Sequence, residues 1–158
     1  MSDKVFVDTN VLIYAHDVDA GPKRTIAARR LQELWATRQG LLSVQVLEEF
    51  YVNVTRKISA PLTPTNAREI IRAYCAWDVE EVRPGTILRG SEIAERHRLS
   101  FWDALIVAAA RQGHATMVLS EDLNPGQRID GIVIENPFLP VPRPEQPTTS
   151  RSRRRRSA

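Results

Sequence analysis

An α/β fold with a small, mostly parallel sheet flanked by helices is predicted from three observations. Short apolar runs that read as buried strands, Val5-Phe6-Val7 and Met117-Val118-Leu119 above all, alternate with longer stretches of helical periodicity. Both of those runs pass directly into polar residues, as strands do where they leave a sheet at a ligand-binding edge. Ala104 to Ala110 are all apolar, so a helix there must be enclosed on most sides, as a helix lying on a sheet is.

The elements follow in order. Val5 to Val7 is a strand, Asp8-Thr9-Asn10 a polar turn, and Asn10 to about His16 a short helix. Asp17 to Pro22 breaks the chain. A helix from Lys23 to Arg38 carries Ala27, Leu31, Leu34 and Trp35 on one stripe and ends at Gly40. Leu41-Leu42-Ser43 is a short strand, and Ser43 is placed to cap a helix from Val44 to Lys57 with Val44, Leu47, Phe50, Tyr51 and Val54 on its apolar side. Ser59 to Pro64 is a loop. Ala67, Ile70, Ile71 and Tyr74 mark another helix, and Val79 and Val82 a brief edge strand. Pro84 sits near the start of a helix that reaches about Arg98. The apolar helix follows Leu99-Ser100 and ends at Gly113; Thr116 to Ser120 and Ile132 to Ile134 are the remaining strands, with Asn124-Pro125-Gly126 a turn between them.

The 158 residues, 42% hydrophobic, suit one compact domain over 1–139. Residues 140–158 turn to Pro, Ser, Thr and Arg, a composition that cannot bury enough apolar area to fold, and are expected to form a disordered basic tail. The formal net charge of +3 is misleading, because the six arginines and one glutamate from Arg143 onward contribute +5 and the remainder carries −2. Overall basicity is thus no argument that the body binds nucleic acid. No apolar run is long enough to span a membrane, the N-terminus enters its strand without a secretory signal, and a single cysteine fits a reducing cytosol, so a cytoplasmic protein is expected. Cys75 reads as a small buried hydrophobe, and His16, His97 and His114 have no metal-ligand spacing.

Chemistry concentrates at the strand ends. Asp8 follows the first strand, Asp122 the strand Met117–Leu119, Asp103 opens the apolar helix, and Glu48 or Glu49 lies on the helix after Leu41-Leu42-Ser43. If the strands are parallel neighbours, these carboxylates share one edge. Like charges so close repel, and a hard divalent cation such as Mg²⁺ neutralises them. Each acid also has a plainer reading: Asp8 or Asn10 as a helix cap, Asp103 as half of a Ser100-x-x-Asp103 capping box, Asp122 as a turn residue, and Glu48 and Glu49 as solvated charges. Periodicity alone leans towards Glu48 as the half-buried acid, since Glu49 lies well away from the stripe of Leu47, Phe50 and Val54.

The residues resemble a known family. Val5-Phe6-Val7-Asp8-Thr9-Asn10-Val11-Leu12-Ile13-Tyr14 is similar to the opening motif of PIN-domain ribonucleases, Ser43 to Tyr51 to their second, Phe101 to Ala110 to their third and Leu119 to Leu123 to their fourth. Four motifs in order span roughly Lys4 to Phe138, and within the family the chain most resembles the stand-alone VapC-type toxins of bacterial toxin–antitoxin pairs. The resemblance implies a PIN-like three-layer fold and Mg²⁺- or Mn²⁺-dependent hydrolysis of RNA phosphodiester bonds. It places the acids at Asp8, Glu49, Asp103 and Asp122, with Asp8, Asp103 and Asp122 on the metal and Asn10 and Ser120 supporting them by hydrogen bonds. It also implies an RNA substrate, a cognate antitoxin and a homodimer. Three rival readings stand beside it: a phosphatase with Asp8 as nucleophile, which lacks the usual second aspartate because residue 10 is Asn; a PIN nuclease of RNA processing without an antitoxin; and a non-catalytic α/β binding module whose acids are caps and turn residues.

Overall fold

The computed structural model describes residues 3–140. The chain runs β1 (Lys4–Val7), α1 (Thr9–His16), α2 (Pro22–Thr37), β2 (Gly40–Ser43), α3 (Val44–Arg56), α4 (Pro64–Tyr74), β3 (Asp78–Glu80), α5 (Pro84–His97), α6 (Phe101–Gln112), β4 (Ala115–Leu119), β5 (Arg128–Ile129) and β6 (Ile132–Glu135). The strands form one sheet in the order β3-β2-β1-β4-β6-β5. All neighbours are parallel except β5 and β6, an antiparallel pair that the sequence pattern does not announce. The predicted mixed fold, mostly parallel and flanked by helices, is the one observed.

The strand order has a direct consequence. After β1 the chain moves outward through β2 to β3, then returns through α5 and α6 to place β4 on the other side of β1. The order therefore reverses between β1 and β4, and the crevice beyond their carboxyl ends is where ligands bind in open α/β sheets. Register aligns these ends: Val7 pairs with Leu119, and Phe6 with both Leu41 and Val118.

Both faces of the sheet are covered. Every residue of β2 is buried, which a strand achieves only with helices on each side. From Ala104 to Ala110 each residue of α6 is buried, as its unbroken apolar character requires, and α6 lies against β2, β3 and β4. Ala27, Leu31 and Leu34 of α2 and Phe50 and Val54 of α3 are also in the core. The N-termini are set by capping: Ser43 accepts from the Val46 N–H for α3, Thr63 from Asn66 for α4 and Ser100 from Asp103 for α6, while Pro22, Pro64 and Pro84 occupy the first helical turn.

Some expectations need correction. Cys75 is exposed, not buried; it caps the C-terminus of α4, and Tyr74 and Trp77 beside it take the inward positions. Trp35 is 40% exposed, at the rim of the core, where its ring packs on Tyr74 and Trp77. Val82 lies past the end of β3 and is also exposed. Phe138 packs edge-on against Tyr14 with ring centroids 5.2 Å apart. The proposed tail lies almost wholly outside the described residues.

Gly40 opens β2 because nothing larger fits. A Cβ there would lie 2.5 Å from the Trp77 ring, which Trp35 and Tyr74 hold at centroid distances of 5.2 Å. Gly40→Ala is expected to destabilise the protein by about 1–3 kcal/mol through overpacking. Gly85→Ala, in α5 with open space around it, is expected to be neutral or mildly stabilising. Urea midpoints for the two variants check this pair.

Candidate active site

The site grows from the end of β1. Asp8 donates its backbone N–H to the Leu119 carbonyl (2.9 Å), extending the β1–β4 ladder by one step, and then turns the chain into α1 as its N-cap. One carboxylate oxygen accepts from the Thr9 N–H at 2.7 Å and the other from the Ser120 hydroxyl at 2.7 Å. Ser120 is fully buried, and its oxygen also accepts from the Asp122 N–H at 3.2 Å. Asn10 closes the circuit, donating to the Asp122 carboxylate at 3.0 Å and accepting from the Glu121 N–H at 3.2 Å. Asn10 and Ser120 thus hold Asp122 and Asp8 across the β1–β4 crevice.

Glu49 joins from α3. Thr9 donates its hydroxyl to one Glu49 oxygen at 2.6 Å, and the Gln45 amide donates to the other at 2.9 Å. Glu48 next to it is exposed and takes part in neither bond. The structure therefore brings Glu49, not Glu48, to the other acids. The periodicity argument points the wrong way because this side of α3 faces a crevice between helices and not the main core. Asp103 sits in the first turn of α6, half-exposed, with Ser100 serving as the cap through the Asp103 N–H at 3.1 Å. The N-cap position of α6 belongs to Ser100.

Electrostatics tie the acids together. Burial pushes the Asp8 carboxyl up from 3.8 to about 6, against the hydrogen bonds from Ser120 and Thr9, and the negative charges of Asp122 and Asp103 push it further. Asp103 is also raised, first by burial and then, against the Ser100 hydrogen bond, by Asp122 and Glu49. Among the described residues, no three histidine, cysteine or acidic side chains converge into a ready-made metal cage. The donors nonetheless suit a hard cation. All are carboxylates, hydroxyls and amides, and Mg²⁺ asks for only one or two carboxylates while retaining several of its waters.

Sequence reasoning missed Thr9 and Gln45, the two groups that hold Glu49. Gln45 had a signal, since residues four apart on a helix are neighbours, whereas nothing local marks Thr9 as a partner for a residue forty positions away. Also unread was the ion pair of Lys23 with Glu121 at 2.7 Å, which ties the start of α2 to the loop carrying Asp122; Lys23 lies 4.9 Å above the Tyr14 ring as well.

A raised carboxyl pKa means that the folded state holds a proton more tightly than the unfolded chain, so stability falls as pH rises through that window. For Asp8 the window runs from 3.8 to about 6. Without divalent metal, Asp8→Asn is therefore expected to be more stable than wild type above about pH 6, by roughly 1–3 kcal/mol, with the difference vanishing below about pH 4. Denaturant titrations in chelator at several pH values measure it, and a pH-independent difference would show that Asp8 is not the group responsible.

Known protein structures share this fold. Mycobacterium tuberculosis VapC20, a sarcin-ricin loop cleaving toxin, superposes with a TM-score of 0.60 at 23% identity, covering 75% of this chain and 90% of its own. A toxin–antitoxin complex from Klebsiella pneumoniae gives a TM-score of 0.64 at 18% identity, covering 85% and 98%. DNA-bound VapBC from Salmonella typhimurium gives 0.60 at 21%, with the same coverage of 85% and 98%. At these identities the likeness is one of fold. No curated protein matches the sequence. The family model of the PIN domain matches residues 5–130, which include Asp8, Glu49, Asp103 and Asp122, and the chain belongs to the PIN domain family.

Proposed function

We propose that this protein is a divalent-metal-dependent endoribonuclease, acting as the toxin of a toxin–antitoxin pair. The observation that carries the reading is the gathering of Asp8, Glu49, Asp103 and Asp122, from four separate segments, at the point where the strand order reverses. A fold that only needed caps and turns gains nothing by bringing these charges within mutual repulsion. The matched family uses divalent ions, and the toxin–antitoxin character of the structural neighbours supports the finer reading.

Asp8, Asp103 and Asp122 would hold Mg²⁺ or Mn²⁺. Bound there, the ion would supply Lewis acidity towards a phosphate oxygen and a more acidic bound water. The protein's own part is positional. Ser120 and the Thr9 N–H fix both oxygens of Asp8, and Asn10 fixes Asp122. Thr9 and Gln45 occupy one lone pair on each oxygen of Glu49, which keeps it oriented as an acceptor able to hold a water for attack on phosphorus. The substrate is RNA, and the partners are a second copy of the chain and an antitoxin that supplies positive charge to this acidic crevice. No described helix is long and apolar enough to cross a membrane.

Purified protein is expected to cut RNA with Mg²⁺ or Mn²⁺ and to stop in EDTA. Asp103→Asn is expected to lose roughly 100-fold or more in rate, and to bind Mg²⁺ more weakly by calorimetry, without a fall in thermal midpoint because Ser100 still caps α6. Glu49→Gln is expected to fold normally and lose at least about tenfold. Expressed in bacteria, the wild-type chain should arrest growth, and Asp103→Asn should not. Undiminished cleavage in chelator would reject the metal, and growth unaffected by an active nuclease would reject the toxin.

A further inference from the structure

Beside the acidic centre lies a groove of about 600 Å³ between the N-terminal ends of α3, α5 and α6. Two of its lining residues adjoin the site: Trp102 is the chain neighbour of Asp103, and Gln45 is hydrogen-bonded to Glu49. The walls are apolar and exposed to an unusual degree for a protein surface, with Trp102 at 64% and Ile87 at 45%. The Trp102 indole is braced edge-on by Phe101, ring centroids 5.4 Å apart, so its position is set.

The polar groups of the groove share one chemistry. Glu48 and Glu81 accept hydrogen bonds. Gln45 is 8% exposed, and its amide nitrogen is committed to Glu49, whose carboxylate can only accept, so the orientation of the amide follows from its partner. That leaves the Gln45 carbonyl oxygen buried without a hydrogen-bond partner among the described residues. A buried acceptor without a partner is unfavourable, and a donor entering the groove after a small side-chain adjustment would relieve it. The groove therefore asks for a flat apolar face and a row of donors.

We propose that this groove is a nucleobase site that seats a guanine of the RNA strand beside the scissile phosphate, stacked on Trp102 and read along its donor edge by Gln45 and Glu48. The proposal rests on the ribonuclease reading above. Single-stranded RNA is recognised by splaying bases onto aromatic side chains and reading their edges. Guanine presents an N–H and an amino group side by side, whereas adenine and cytosine present an amino group beside a ring acceptor and uracil a single N–H between two carbonyls. A planar base uses the indole face and the acceptors together. A lysine or arginine head meets the acceptors but leaves most of the apolar wall facing water.

The test uses two RNA hexamers, UUGUUU and UUUUUU. In EDTA, with labelled protein, Trp35, Trp77 and Trp102 give three separate indole signals. The guanine hexamer is expected to bind about tenfold tighter than oligouridine and to shift the Trp102 signal, while Trp102→Leu brings the two affinities together. With Mg²⁺, cleavage is expected next to the guanine. Equal affinities for the two hexamers in the wild type overturn the proposal. So does a Trp102 signal that moves on dilution of the protein, the mark of a second copy in the groove, or one that moves with an arginine peptide and not with RNA. Guanine-selective binding without cleavage of either hexamer would uphold the groove and sink the ribonuclease reading. Cleavage of both at equal rates would do the reverse.

Discussion

The buried carboxylate of Asp8 is the constraint around which the rest is arranged. It is 5% exposed, it starts α1, and it is joined through the fully buried Ser120 to the other side of the switch point between β1 and β4. Burying a charge is unfavourable unless it is paired or hydrogen-bonded, and three features here reduce that cost. One oxygen faces the first N–H of a helix, the other a hydroxyl, and the backbone of Asp8 continues the ladder to Leu119. The remaining penalty appears as a carboxyl that holds its proton to about 6.

Hydrogen bonds and helix positions divide the work of assembling the other acids. Asp122 depends on Asn10, and Glu49 on Thr9 and Gln45, so Asp8-Thr9-Asn10 contributes a buried acid, an anchor for one acid and an anchor for another. Asp103 stands apart, placed by the start of α6 alone, and is coupled to the others through charge. Like charges at short range oppose the compact state and favour whatever cation relieves them, which is how binding energy for a metal is stored in a fold. The stability given up is the counterpart of function that strained or repulsive sites commonly show.

The acidic crevice and the groove beside it differ in kind. One gathers charge on rigid strand ends. The other exposes aromatic and aliphatic surface between helix ends, with Gln45, Glu48 and Glu81 among its lining residues. Gln45 belongs to both, lining the groove while giving its nitrogen to Glu49.

Much of the fold was legible in the chain. Bounded apolar runs marked β1, β2, β4 and β6; Ser43, Ser100 and Pro84 marked helix starts; and the apolar block from Ala104 marked the helix that lies on the sheet. These signals are local, carried by side-chain period and capping, and so survive in one dimension. The two-residue β5 and the outward Cys75 were not legible, because a short antiparallel pair and the facing of a helix end depend on what packs beside them.

The acids at positions 8, 49, 103 and 122 were named from their motif, and sequence alone determined their types and their places at element ends. Helical periodicity leaned to Glu48 where the motif named Glu49, and neither signal showed that Thr9 and Gln45 hold that acid. Those outcomes rest on contacts between segments as many as 112 residues apart, such as Asn10 with Asp122. A strand order that reverses at β1 brings them together, and no periodicity along the chain encodes that distance.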